Sequence, residues 1–318
     1  RQDSQQAIVI HDGETQRLLL QVDFNLKSDT DVSHVGWIVT VPSEPKSYEV
    51  MDDGVFWQLK SLSTARLDVD PKPMSANASG FAPRSLSVGE TVSVGPYQIT
   101  PVKAFGEEAV NAMQDWLRAE NLGTVDDGQM GYFIENAFTF LCIRMAPDAE
   151  EGRMGSSGIA PALSIEFASE RVYYPLLFSS HQGTFNVNLY TLTRHPIDFE
   201  SSEEALSRMR YYNQTWLQNY VMRGEDIYQA APKLVSLRER NEFSAEQYFL
   251  NAINCYRVNE EQEISGWDSD IFLTMDSSVA AAQREPGSHD PNKWLEGDGP
   301  FGGGISKDEL DHFQNAFD

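Results

Sequence analysis

The segment Phe138-Thr139-Phe140-Leu141-Cys142-Ile143-Arg144-Met145 constrains this chain more than any other. A run so nearly all apolar or β-favouring does not suit a half-solvated sheet, so it reads as a central strand covered on both faces. The residues before it form a unit with it. Val92 to Val102 is rich in β-branched and aromatic residues and is interrupted at Gly95-Pro96. Proline has no amide to give to a ladder, so this reads as an edge strand or a strand with a bulge. From Glu107 to Glu120 the period changes. Val110, Met113, Trp116 and Leu117 fall on one helical stripe, with Glu107 and Glu108 in the first turn, at the positive end of the dipole. Asn121 to Gly123 tolerate positive φ and end the helix. Tyr132 and Phe133 follow on a short helix beneath the apolar strand. Two strands and their helices cannot bury these aromatics alone, so a flanking sheet must cover them.

The chain has 318 residues, enough for one large or two ordinary domains with a sizeable core. Acidic residues outnumber basic ones 48 to 24, a formal net charge of −24. Nucleic acid and anionic lipid surfaces need a basic footprint, so both are disfavoured as partners. The charge suits an extracytoplasmic or saline setting, or divalent cations. No apolar run approaches the roughly 20 residues that span a bilayer. The chain opens at Arg1-Gln2-Asp3 without methionine, as a processed or trimmed protein would. Its 2 cysteines are too few for a disulfide framework or a cysteine metal site.

Taken in order, Ala7 to Ile10 is a short apolar run, and Asp12-Gly13 after it signals a hairpin. Leu18, Leu20, Val22, Phe24 and Leu26 then alternate with Arg17, Gln21, Asp23 and Asn25, a half-buried strand. His34 to Val41 is a third strand, ended by Pro42 and Pro45. Asp52-Asp53 open a short helix with Phe56, Leu59 and Leu62. Leu67 to Leu86 is an exposed loop and Ala146 to Ser157 a small polar one. Ala162–Phe167, Val172–Phe178 and Phe185–Thr193 are three more strands. Near Phe199 the texture changes. Ser201-Ser202-Glu203-Glu204 starts a helix carrying Leu206, Met209, Tyr212, Trp216, Leu217 and Tyr220. Ser244-Ala245-Glu246-Gln247 is a capping box opening a second helix, with Phe249, Ala252, Ile253 and Tyr256 on one side. Asp270 to Thr274 adds a strand, and Arg284 to Gly304 is irregular. The expected class is therefore α+β, a mostly antiparallel β-sheet with packed helices. It divides into a β-rich domain over residues 1–199 and a smaller helical C-terminal extension over 200–318 with a Gly/Pro/Asp-rich tail.

Residues Ala7 to Thr193 resemble a bacterial family known as domain of unknown function 2330. The resemblance rests on Ile10-His11-Asp12-Gly13-Glu14-Thr15, Leu18 to Val22, and Gly36-Trp37-Ile38-Val39-Thr40-Val41-Pro42-Ser43-Glu44-Pro45. It continues in Phe56-Trp57-Gln58-Leu59, Val94-Gly95-Pro96-Tyr97, Asp115-Trp116-Leu117, the aromatic strand ending at Met145, and Tyr173-Tyr174-Pro175-Leu176. It implies an exported bacterial protein, often made with a signal peptide and sometimes membrane-anchored, and no defining activity. Many members carry a cysteine near the mature N-terminus. This chain has none there, which speaks against a lipid anchor at that site.

Candidate sites are few. Cys142, on the apolar strand, and Cys255, on the second C-terminal helix, would pair as a disulfide in an exported protein, or stand as two buried free thiols. Tyr212, Trp216 and Tyr220, with Tyr211, form an aromatic stripe that is either helix-on-sheet core or a partner-binding surface. Asp298 to Glu309 places Gly303, Ile305 and Glu309 at EF-hand positions, but Pro300 and Gly302 offer no side-chain oxygen. The simpler reading is a capping box at Ser306-Lys307-Asp308-Glu309. Ser179-Ser180-His181 lacks an elbow and an acidic partner in sequence, and Gly302-Gly303-Gly304 lacks the strand and lysine of a nucleotide loop. No histidine spacing suggests zinc, so no metal, cofactor or catalytic residue is assigned.

The sequence therefore points away from enzymatic activity and toward an exported, extracytoplasmic bacterial protein that works by protein–protein contact. It would serve as a subunit of an envelope or surface assembly, with peripheral membrane association open to it. The alternative is an extracytoplasmic hydrolase or carbohydrate-binding protein that uses carboxylates, with or without calcium.

Overall fold

The structure, a computed structural model, describes residues 2–24, 36–52, 54–64, 86–145, 160–180, 186–198, 201–202, 213–255, 270–283 and 286. Its first element is the hairpin signalled by Asp12-Gly13. Strands β1 (Gln2–His11) and β2 (Thr15–Phe24) pair antiparallel, and Gly13 takes φ 115° at the tip. Seven strands form the main sheet. Added to the hairpin are β4 (Pro45–Met51), β9 (Ala162–Ala168), β11 (Asn186–Thr193), β12 (Asn213–Arg223) and β13 (Gln247–Cys255), in the order β12-β13-β11-β1-β2-β9-β4. The pairing of β1 with β11 is parallel, and the other ladders are antiparallel.

A second sheet contains β3 (Gly36–Val41), β8 (Thr139–Met145), β7 (Tyr97–Ala104) and β5 (Leu86–Val88), with β6 (Val92–Val94) also on β7. The apolar strand β8 is central, as its composition requires. The interruption at Gly95-Pro96 is a hairpin turn rather than a bulge. Val94 pairs with Tyr97, and Gly95 takes φ 53° before proline's fixed negative φ, the sign pattern of a type II′ turn. Pro101, which cannot donate, sits where β7 changes partner from β6 to β5. Strands β10 (Val172–Tyr174) and β14 (Ile271–Leu273) make a small third sheet.

Alternation along the strands builds four layers. Ala7, Val9, Leu18 and Leu20 point to the core shared with the second sheet, while Ile8 and Leu19 point the other way and are also fully buried. The half-solvated face expected for β2 is thus corrected: helices cover it. These are α1 (Gly54–Thr64), α5 (Gly224–Ala230) and α6 (Arg240–Ala245), which supply Phe56, Leu59, Ile227, Tyr228 and Phe243. On the second sheet, Tyr97 reaches back to the carbonyl of Pro161 just before β9. Phe140 faces away, edge-on to Phe133 of helix α3 (Asp127–Glu135) at 6.0 Å between ring centroids. Helix α2 (Ala109–Ala119) buries Met113 and Leu117 beside it. A one-turn helix, α4 (Leu177–Ser180), follows β10 where the sequence suggests continued strand.

The largest correction concerns the chain after residue 200. Asn213–Arg223 and Gln247–Cys255 are strands of the main sheet and not helices. Ser244-Ala245 closes the short α6 instead of opening a helix. A smaller helical C-terminal part is therefore not seen in residues 213–255, where two short helices pack on the sheet these strands extend. Gly224 makes that packing close: a Cβ there would lie 1.8 Å from the Phe243 carbonyl oxygen.

Three side-chain amides act as surrogate peptide groups. Gln16 donates to the Tyr173 carbonyl (2.6 Å) and accepts from its amide (2.8 Å). Asn219, at φ 49°, treats Ile197 in the same way (2.9 and 2.8 Å). Gln114 does so for Val125. Each closes a two-bond bridge to a single backbone residue.

Candidate functional site

Among the described residues, ionisable groups gather in two places. The first is enclosed. Asp270, just before β14, is buried, and its Oδ1 accepts the amides of Leu176 and Leu177, both at 2.8 Å. Its Oδ2 accepts the Tyr173 hydroxyl at 2.5 Å, and that phenol oxygen lies 3.0 Å from Thr40 Oγ1. Burial pushes the carboxyl up to about 6 against the pull of these donors. The Tyr173 phenol is held well above its ordinary value by burial and by Asp270. Gln5, Thr40, Ser179 and Asp270 edge a cavity of about 20 Å³ here, the size of one water molecule. With both oxygens engaged by structural donors, this carboxylate ties the second sheet, β10 and β14 together.

The second place is an open cleft of about 240 Å³ at one end of the main sheet, on its helix-covered face. Its floor is the end of the β1–β2 hairpin and the neighbouring strands. Arg17 on β2 stands opposite Glu166 on β9 in the ladder. Its wall is α6 and the turn before it. Glu239 closes the turn on Ser236: its Oε2 accepts the Ser236 amide at 3.0 Å and hydroxyl at 2.8 Å. The same carboxylate receives the Arg17 guanidinium, Nη1 to Oε2 at 3.0 Å. Burial would raise the Glu239 carboxyl, but Arg17 and Ser236 hold it below its ordinary value. Burial raises the nearby Glu49 carboxyl, with Arg17 opposing and Glu239 adding to the rise. Arg194, after β11, pairs with Glu246 and lies 5.1 Å over the Tyr248 ring. Tyr248 stacks on Phe243 with centroids 4.6 Å apart. Asp12 and Glu242 complete the charged lining.

The residues singled out in the sequence lie elsewhere. Cys142 is a buried free thiol in β8, its proton held on by burial. Cys255 ends β13 in the other sheet, and its side chain is outside the described residues. Trp216 and Tyr220 are on β12, a strand at the edge of the main sheet, with Tyr220 half-buried. Tyr212, the Trp216 side chain, His181, the loop after Leu67 and the segment from Asp298 to Leu310 are also outside the described residues. The Ser179 hydroxyl accepts from Gln5 at 2.8 Å. No group of three or more potential metal ligands converges among the described residues. The cleft went unread in the sequence because its members come from four separated segments: 10–17, 166, 194 and 235–248. Two signals were available: Arg17 on the polar side of β2's alternation, and the Ser236-x-x-Glu239 spacing of a side-chain-closed turn.

No described helix is long and apolar enough to cross a membrane. No curated protein matches the sequence. Solved structures similar to this chain include baculovirus P35 and a mutated baculovirus P35 after caspase cleavage, each at TM-score 0.41 and 11% identity. The likeness covers 86% of this chain and 96% and 99% of theirs, respectively. The caspase-8/P35 complex is similar at TM-score 0.40 and 10% identity, over 86% of this chain and 96% of that one. A family model described as uncharacterized protein conserved in bacteria (DUF2330) matches residues 1–287, across the sheet, its helices and the cleft alike, and the chain belongs to that family.

Proposed function

We propose that the protein acts by contact with a protein partner rather than by catalysis, in an extracytoplasmic bacterial assembly, and that the cleft receives a basic side chain of that partner. The carrying observation is the balance of charge in the lining: Asp12, Glu166, Glu239 and Glu242 against Arg17 and Arg194. Both guanidinium groups are already held, by Glu239 and Glu246, so the surplus in the cleft is carboxylate. The stacked Phe243 and Tyr248 rings are buried beneath this lining, and the Arg194 guanidinium already lies over Tyr248, so the carboxylates are what the cleft offers a lysine or arginine. The chain's net charge of −24 supports the reading, because it would steer a basic partner toward the protein.

Calorimetric titration with a lysine-rich peptide, a glutamate-rich peptide of equal length and a neutral oligosaccharide tests it. The lysine-rich peptide binds alone, weakens with salt, and weakens several-fold in Glu242→Gln and Glu166→Gln, on the order expected for rim charges. Equal binding of both peptides, or no change in the variants, overturns it. A second reading has its own support, since the cleft's carboxylates also suit a sugar's hydroxyls; binding of the oligosaccharide alone selects it. For the assembly itself, the native mass from the cell envelope should exceed the 35.7 kDa of the chain; a lone monomer argues against it.

A further inference from the structure

The β1–β2 hairpin that floors the cleft is built around a histidine that must be neutral. His11 ends β1 with its side chain fully buried, and its Nδ1 accepts the Gly13 amide at 3.0 Å. A nitrogen that accepts carries no proton, so the proton of the ring is on Nε2. Nε2 is buried and makes no hydrogen bond, and neither does Thr193 Oγ1 on the residue opposite His11 in the ladder. The rest of the tip is held by Asp12, whose Oδ1 accepts the amides of Glu14 (2.9 Å) and Thr15 (2.7 Å), by the Ser169 amide on the Glu14 carbonyl (2.9 Å), and by Lys46 on the Thr15 hydroxyl (2.8 Å). Asp12 and Thr15 line the cleft, as does Arg194, the neighbour of Thr193.

We propose that His11 is a proton-operated latch on this cleft. Protonation puts a hydrogen on Nδ1, which turns the acceptor of the Gly13 amide into a donor facing it. The bond is lost, the tip is left to its Asp12, Ser169 and Lys46 bonds alone, and the loosened tip shifts Asp12 and Thr15 in the lining. The added positive charge beside Asp12 also weakens the hold on a cation, so both effects favour release in acid. The charged and titratable groups around the ring are Asp12 on the hairpin and His195 beyond β11, whose Nδ1 lies 2.7 Å from the Val279 carbonyl oxygen. From the β9–β10 turn, the Ser169 and Arg171 carbonyls favour a charged ring. Burial outweighs Asp12 and these carbonyls and keeps the ring's pKa below the ordinary 6.5.

The inference rests on the cleft reading for its consequence but not for its mechanism, and two measurements separate them. His11→Asn places an oxygen where Nδ1 sits and keeps the Gly13 bond at every pH, as asparagine does in turns. Affinity for the lysine-rich peptide is measured between pH 7.5 and 5.5 in the wild type, His11→Asn and His195→Asn. Exchange protection of the Gly13 amide is followed by NMR in the wild type over the same range. The wild type and His195→Asn lose about tenfold in affinity, His11→Asn holds its affinity, and Gly13 loses protection in acid. The same loss in His11→Asn, or a Gly13 amide equally protected throughout, overturns the latch. If no peptide binds at any pH the cleft reading fails, and the Gly13 amide still decides whether the hairpin opens.

Discussion

The two faces of the main sheet are drawn from alternate residues of the same strands, yet they treat polar groups differently. Toward the second sheet, enclosed polar groups such as Gln16, Tyr173 and Asp270 are fixed by specific hydrogen bonds, while His11 Nε2 and Thr193 Oγ1 are enclosed without one. Toward the helices, the apolar core of Ile8, Leu19, Phe56 and Tyr228 is smaller, and its rim is left to half-exposed ion pairs. In the first setting a missing partner strands a desolvated group. In the second, water replaces it. The same ionisable chemistry therefore fixes structure on one face and stays available to a partner on the other.

Substitutions can break this contrast. Asp270→Ala strands the Leu176 and Leu177 amides and the Tyr173 hydroxyl and should cost about 4 kcal/mol in urea unfolding. Asp270→Asn keeps an oxygen for the two amides and should cost about 1 kcal/mol at most. Near-equal losses would mean that the enclosed network is not what holds the sheets.

The pH dependence sharpens the same point. A carboxyl raised from 3.8 to about 6 on folding holds its proton longer in the native state. Stability then falls as pH rises from about 4 to 6, on the order of 3 kcal/mol for this group. Asp270→Asn should remove that slope. On the helical face, Gly224→Ala drives a Cβ into the Phe243 carbonyl and should cost about 2 kcal/mol, read as a lowered melting temperature. The smallest effect belongs to the rim: Glu239→Gln should cost about 1 kcal/mol and less in high salt. Because Glu239 is held below its ordinary value, its contribution is present at neutral pH and is lost as pH falls through the carboxylate range. A rim loss rivalling that of Asp270→Ala would erase the distinction between the faces.

Where one face of an element differs from the other, its identity was legible. The β2 alternation, the α2 stripe and the Asp12-Gly13 turn each lead to the element observed. The failures have physical causes. Strand β12 carries register shifts between Thr215 and Leu217 and between Leu217 and Tyr220. Each shift disturbs the alternation, so Trp216, Leu217 and Tyr220 imitate helical spacing. In β13, Tyr248 to Ile253 is buried on both faces, and a run without contrast has no period to read. The Asp270 network and the cleft were unreadable for another reason: their members meet only through tertiary contacts among distant segments.

The surrogate peptide groups carry a consequence for the protein's lifetime. Gln16, Gln114 and Asn219 each offer one donor and one acceptor to a single backbone residue. Hydrolysis of such an amide to an acid releases ammonia and replaces the NH2 donor by an oxygen, which leaves a negative charge aimed at a carbonyl oxygen. Gln16 and Gln114 are shielded by burial, whereas Asn219 is partly open to water. Chemical ageing of this fold should then begin at the junction of β12 with Ile197, at the far edge of the sheet, long before it reaches the centre.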